Sequence, residues 1–205
     1  MIRRTLQLRY LLTCVLLLNG AHVPAAYAVT GSAPSPPSFN EKDLFAYRAK
    51  GRGSATGQVF LRAPSGKAVT QAGVSVYLIP TVPSTRYWFE KYVRANFCPS
   101  KGEAPSSESL MAQGSTGECL HAVMAQLLSE KRLIPYLRTT RANPTGHFWF
   151  TKVPAGRYYL VSLLDGAGNA HQDERAVGMT WLSIELDPDE KATNLVVTDC
   201  KSSFC

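Results

Sequence analysis

From Gly57 onward apolar and polar positions alternate in short runs, the period of strands buried on one face and wetted on the other. Residues 58–62 form the first run. After the turn residues Pro64-Ser65-Gly66, residues 74–78 place Val74, Val76 and Leu78 on one face before Pro80 interrupts the ladder. The period then changes. Across residues 85–97, Trp88, Tyr92 and Val93, with Phe89 beside them, recur at spacings of three and four, which predicts one or two helical turns. Residues 100–117, rich in Gly, Ser and Glu, read as an exposed loop. Residues 118–132 return to helical spacing with the stripe Leu120, Val123, Met124, Leu127 and Leu128. Strand signals resume at 135–141, 147–153, 157–164, 179–186 and 193–198, separated by turn chemistry such as Asn143-Pro144-Thr145-Gly146, Pro154-Ala155-Gly156 and Asp187-Pro188-Asp189. About seven strands with one helical insertion result. Closely spaced antiparallel strands bury their apolar faces against a second sheet or by closure, so a β-sandwich spanning 57–199, with its insertion at 81–134, is the expected architecture.

Two segments lie before that domain. Arg3, Arg4 and Arg9 precede the apolar run from Tyr10 to Leu18, and Ala26-Tyr27-Ala28 offers a small-x-small cleavage site, so residues 1–28 read as a signal peptide. The run is about half of the roughly 20 residues that span a bilayer, so no membrane span is expected after cleavage. Residues 29–56 hold Pro34-Ser35-Pro36-Pro37-Ser38 and Gly51-Arg52-Gly53-Ser54 and read as a disordered or loosely docked arm, with Asp43-Leu44-Phe45-Ala46-Tyr47 as an apolar island able to dock.

Export changes the meaning of charge and cysteine. Cleavage removes three of the 22 Lys and Arg and none of the 15 Asp and Glu, which lowers the formal net charge from +7 to +4. The remaining charges are interspersed, so no nucleic-acid arm or polybasic membrane patch is implied. Four cysteines remain, Cys98, Cys119, Cys200 and Cys205, in a compartment, periplasmic or extracellular, where thiols are oxidised. Two disulfides are expected. Joining Cys98 to Cys119 across the insertion loop and Cys200 to Cys205 in the tail (residues 200–205) is the simplest of three pairings, with crossed pairing as its rival.

The stretch from Asn143 to Leu160 has a local physical reading. Gly146 and Gly156 supply turn conformations, Phe148 and Phe150 share a face, and Val153-Pro154-Ala155-Gly156 makes a corner into the strand holding Tyr158. The same stretch resembles the signature of carboxypeptidase regulatory-like domains, the transthyretin-like sandwich: turn-Gly-x-Phe-x-Phe, apolar-Pro-x-Gly, then Tyr. Residues 57–62 and 72–80 are similar to that family's opening hairpin, and residues 76–80, Tyr87 and 136–140 resemble a group of exported bacterial proteins carrying this domain. The resemblance implies a seven-stranded antiparallel Greek-key sandwich in which Gly146, Phe148, Phe150, Pro154, Gly156 and Tyr158 are structural. It carries over no catalytic residue. The insertion and the cysteine-bearing tail depart from the simple domain.

Candidate chemistry is sparse. The mature chain has three histidines, His121, His147 and His171, without helical-spacing partners, so neither metal nor other cofactor is expected. No Gly-x-Ser-x-Gly elbow or phosphate-cradling loop occurs, and the terminal sequence lacks the Tyr-Arg-Gly-Ser of hydroxyisourate hydrolases on this scaffold. The binding candidates are Tyr87, Trp88 and Tyr92 in the insertion, where packing against the sandwich competes with display. The expected function is non-catalytic binding of a protein or glycan in the envelope or outside it. A small hydrolase would instead need a cleft where His147, Asp165 or His171 meets a Ser or Thr, and an assembly subunit would show an open sheet edge or a strand-donating arm.

Overall fold

The computed structural model describes residues 35–63, 65–95, 117–165 and 177–199. The strands there are β1 (Gly53–Val59), β2 (Leu61–Arg62), β3 (Ala68–Val69), β4 (Ser75–Pro80), β5 (Arg138–Arg141), β6 (His147–Val153), β7 (Gly156–Leu164), β8 (Gly178–Leu186) and β9 (Lys191–Val197). The longer ones form a three-stranded sheet in the order β6-β1-β9 and a four-stranded sheet in the order β5-β4-β7-β8, while β2 and β3 make a small hairpin. Ala55, Val59, Phe148, Phe150 and Val153 from one sheet meet Val76, Leu78, Tyr158, Leu160 and Leu186 from the other. The protein is therefore a mainly β sandwich with a helical insertion.

The chain changes sheet at the 154–155 corner, because β6 belongs to one layer and β7 to the other. Gly146, at φ 81°, and Gly156, at φ 143°, hold backbone conformations that side-chain-bearing residues rarely adopt; the first precedes β6 and the second opens β7 at the corner. Tyr158 donates its hydroxyl proton to the Pro154 carbonyl at 2.8 Å, which ties the corner to the strand that follows it. Burial pushes the Tyr158 phenol well above its ordinary pKa, so this donor stays protonated throughout the physiological range.

Four details depart from the sequence reading. The first strand begins at Gly53, so residues 53–56, expected to belong to the arm, pair with β6, and Ser54 and Ala55 pair with β9 as well. The two glycines that read as linker, Gly53 and Gly57, are packing requirements: a Cβ would come within 2.9 Å of the Val153 carbonyl oxygen at Gly53 and within 2.2 Å of the Leu195 carbonyl oxygen at Gly57. The β1–β9 pair is parallel, whereas the other ladders are antiparallel, so the all-antiparallel expectation fails at this pair. Pro80 is the last residue of β4, opposite Tyr158, instead of lying beyond the strand. Finally, β5 is shorter than expected, since residues 134–136 form a 3-10 turn with Tyr136 buried.

A third layer covers the outer face of the four-stranded sheet. It consists of a docked arm segment (a 3-10 turn over Glu41–Leu44, then α1 over Phe45–Arg48), of α2 (Pro83–Trp88), continued as a π-helical segment (Phe89–Arg94), and of α3 (Gly117–Leu128). Ile79, Tyr159 and Val161 face this layer and pack against Leu44, Phe89, Val93 and Val123. The ring of Phe89 stacks on Tyr159 at 3.9 Å between centroids and meets Trp181 edge-on at 5.1 Å. Leu44 is fully buried, so the apolar island of the arm is docked. Strand β7 is consequently buried on both faces, and Tyr158, Tyr159, Leu160 and Val161 read as a continuous apolar run instead of an alternation.

Candidate functional site

The helical layer borders a half-open cavity of about 280 Å³, just below the roughly 300–1,000 Å³ of small-ligand sites. Its walls are α2 and its π-helical continuation, α3 with the turn that follows it, and the arm at Pro36, Pro37 and Phe39. Tyr87, Trp88 and Tyr92 all line it. These are the three aromatic residues the sequence singles out, and the structure brings them to one place.

The helix starts where it does because Thr85 caps it. The Val82 amide donates to Thr85 Oγ1 at 3.0 Å, and the same hydroxyl donates to the Pro80 carbonyl at 2.5 Å, so the chain leaving β4 turns directly into α2. In the π-helical segment the turn is widened, shown by the Ala95 amide donating to the Glu90 carbonyl at 3.2 Å. A wider turn brings residues five apart toward one side, and Lys91 Nζ lies 5.4 Å from the Tyr87 ring centre and 5.2 Å from that of Tyr92. The Tyr87 hydroxyl accepts from Lys91 at 3.3 Å, and this bond, helped by charge interaction with Tyr92 and Tyr87 and opposed by partial desolvation, raises the pKa of the ammonium.

The three aromatics do different work. Trp88 is only 5% exposed, and its indole N–H donates to the Val123 carbonyl at 3.0 Å, so it fastens α2 to α3 and offers the cavity an edge. Tyr87 and Tyr92 are half-buried and present more of their rings. Around them stand groups that donate or accept hydrogen bonds, including Ser84, Gln126 and Glu130. Arg132 pairs with Glu130 at 2.8 Å and holds its carboxyl below the usual glutamate range. The same guanidinium lies 4.5 Å from the Phe39 ring centre, linking the arm to the cavity wall. Phe39, Arg132 and the Pro pair were not foreseeable as site residues, because only docking of the arm brings them there.

The other candidates fall elsewhere. Phe148, Phe150, Pro154 and Tyr158 are buried in or beside the sandwich core. Cys119 is buried on α3, while Cys98, Cys200 and Cys205 lie outside the described residues. The signal segment and His171 are also outside them. Among the described residues no group of three or more His, Cys, Asp and Glu could hold a metal ion, and no helix is long and apolar enough to cross a membrane.

A hydroxyl does approach one candidate histidine: Thr145 Oγ1 lies 2.9 Å from His147 Nδ1. The same hydroxyl donates to Asn143 Oδ1 at 2.8 Å, an oxygen that also accepts the Thr145 and His147 amides. The Thr145 hydroxyl is thus shared between Asn143 and the imidazole within one tight turn, and these contacts lock that turn. Asp165 instead receives a hydrogen bond from Gln71 at 2.8 Å and lies 3.9 Å from His121 Nε2.

Comparison with known proteins supports the class defined by this fold, a β-sandwich with elaborated loops. The crystal structure of a Pseudomonas aeruginosa protein, provisionally described as carbohydrate binding, superposes with a TM-score of 0.55 over 80% of this chain and 99% of that one, at 18% identity. That likeness shows the fold. The pilus backbone RrgB of Streptococcus pneumoniae aligns over 71% of this chain and 41% of its own at a TM-score of 0.26 and 14% identity, too loosely to carry an argument. No protein-family model and no curated protein matches the chain.

Proposed function

We propose that this protein is an exported, non-catalytic binding module of the carboxypeptidase regulatory-like kind, which holds a carbohydrate in the cavity of its helical layer. The observation that carries the reading is the meeting of Tyr87, Trp88 and Tyr92 around one cavity of about 280 Å³. A sugar ring has apolar C–H faces and an edge of hydroxyls that both donate and accept. The cavity offers aromatic faces for the first and, in Ser84, Lys91, Gln126 and Glu130, both donors and acceptors for the second. The similar fold of a protein provisionally described as carbohydrate binding agrees with this choice over a protein ligand. Export rests on the signal-like residues 1–28 and on four cysteines in the mature chain, for which Cys98–Cys119 and Cys200–Cys205 remain the proposed pairs.

The test is a glycan array probed with the labelled mature protein, followed by titration of the best hit against the Tyr87→Ala/Tyr92→Ala double variant. Loss of about tenfold or more in affinity, equivalent to ~1.4 kcal/mol, with an unchanged unfolding midpoint is expected. Binding that survives the double variant, or an array without a hit, refutes the reading. Trp88 is unsuitable for this test because its removal also unfastens α3.

A further inference from the structure

The outer face of the three-stranded sheet is left bare by the helical layer, and its side chains form rows set by strand register. His147, Gln58 and Val196 stand in one row, and Trp149 stands opposite Thr56 in the next. A third row holds Thr151, Ser54 and Lys191. Trp149 is 55% exposed and Val196 51%, an unusual use of large apolar residues on a solvent face. The indole N–H of Trp149 has no hydrogen-bond partner among the described residues.

Between the first two rows lies a depression of about 250 Å³. Its shape has a structural cause. The β1–β9 register slips between Ala55 and Gly57, where Asn194 takes φ 58°, and this bulge presses the Leu195 carbonyl so close to Gly57 that no side chain fits there. Gly57 itself is in the core-facing phase of β1, paired with Phe148 and Leu195, so between the outward Thr56 and Gln58 the floor is backbone. Gln58, His147 and Asn194 rise around it with Val196, and none of the eight lining residues is Lys, Arg, Asp or Glu. Charged residues begin only in the third row, at Lys191, and at the bulge beside it, Lys152. A solvated sheet face ordinarily carries interspersed charges.

The geometry points to a second binding site on this face, one that takes a neutral sugar chain, with Trp149 as the stacking platform and Gln58, His147 and Asn194 as the hydrogen-bonding groups. An uncharged lining disfavours an ionic ligand, since a charge placed there would be partly desolvated without a counter-ion. A flat indole beside amide and imidazole groups suits a ring with apolar faces and hydroxyl edges. This site stands independently of the cavity in the helical layer, which lies against the opposite face of the sandwich.

Affinity electrophoresis of the mature full-length chain tests it, in gels carrying dextran, amylose, laminarin or galactomannan as neutral polysaccharides and alginate or heparin as charged ones. Retardation in at least one neutral gel is expected, weakened about tenfold or more in apparent affinity by Trp149→Ala and retained in part by the Tyr87→Ala/Tyr92→Ala variant. Thr56→Arg, which sets a bulky cation opposite Trp149, gives the same loss without removing a ring and serves if Trp149→Ala melts early. The inference is overturned if no neutral gel retards the protein, if only the charged gels do, or if Trp149→Ala and Thr56→Arg migrate as the parent. Retardation abolished by the double variant alone would overturn it while leaving the helical-layer site standing. Loss of capture of a protein partner, without retardation in any neutral gel, would assign the face to a protein and overturn it as well.

Discussion

The two sheets share one core yet treat their outer faces in opposite ways. The four-stranded sheet hides Ile79, Tyr159 and Val161 under an arm and three helical segments, whereas the three-stranded sheet leaves Trp149 and Val196 open to water. An apolar outer face can thus be a structural obligation or a displayed surface, and residue type alone does not separate the cases. What separates them is whether the chain supplies a covering element with its own matching apolar stripe. Here α3 presents Leu120, Val123, Met124 and Leu127 toward the interior, and no described element covers β6 or β9.

The comparison breaks first at Phe89. If the helical layer is as integral as the sandwich, Phe89→Ala should cost about 3–5 kcal/mol in a single cooperative urea transition, as for other buried aromatic truncations. A separate early transition for the helices would show instead that the layer is an appendage. Gly57→Ala probes the other sheet. The new methyl meets the Leu195 carbonyl and should destabilise by roughly 1–3 kcal/mol, read from the same transition, because the bulge in β9 leaves it no room. A cost near zero would mean that β9 can shift and that the depression has no fixed floor.

Smaller effects sharpen the contrast. Thr85→Val keeps the shape but removes the hydroxyl that receives the Val82 amide, so a loss of about 1–3 kcal/mol is expected in thermal or urea unfolding. The smallest change should come from Trp149→Ala, within about 0.5 kcal/mol of the parent, since that ring adds surface and not core. A large loss there would mean that Trp149 is structural and would remove the reason for treating the bare face as functional.

Much of the sandwich was legible because its strands keep period two. Residues 147–153 match β6 end to end, and Phe148 and Phe150 point inward as their alternation requires. The start of β1 was not, since Gly53-Ser54-Ala55-Thr56-Gly57 has the composition of a linker and its strand character comes from pairing with β6 and β9, whose backbones leave no room for a Cβ at Gly57. The site was half legible. Tyr87, Trp88 and Tyr92 stood out as an aromatic cluster in an insertion, but the division of labour between a buried Trp88 and more open tyrosines depends on α3, which is distant in sequence. Trp149 passed unnoticed because it sits in a strand at a polar-phase position, where one aromatic among alternating residues gives no periodic signal.

By itself the sequence determined the strands, their turns and the existence of a helical excursion, because alternation, glycine and proline act over a few residues. Only the tertiary structure decided that β1 and β9 run parallel, that the arm closes one wall of a cavity, and that one sheet is covered while the other is bare. Those outcomes depend on which distant segments compete to bury the same apolar area, a contest whose result is set by shape and register across the whole chain.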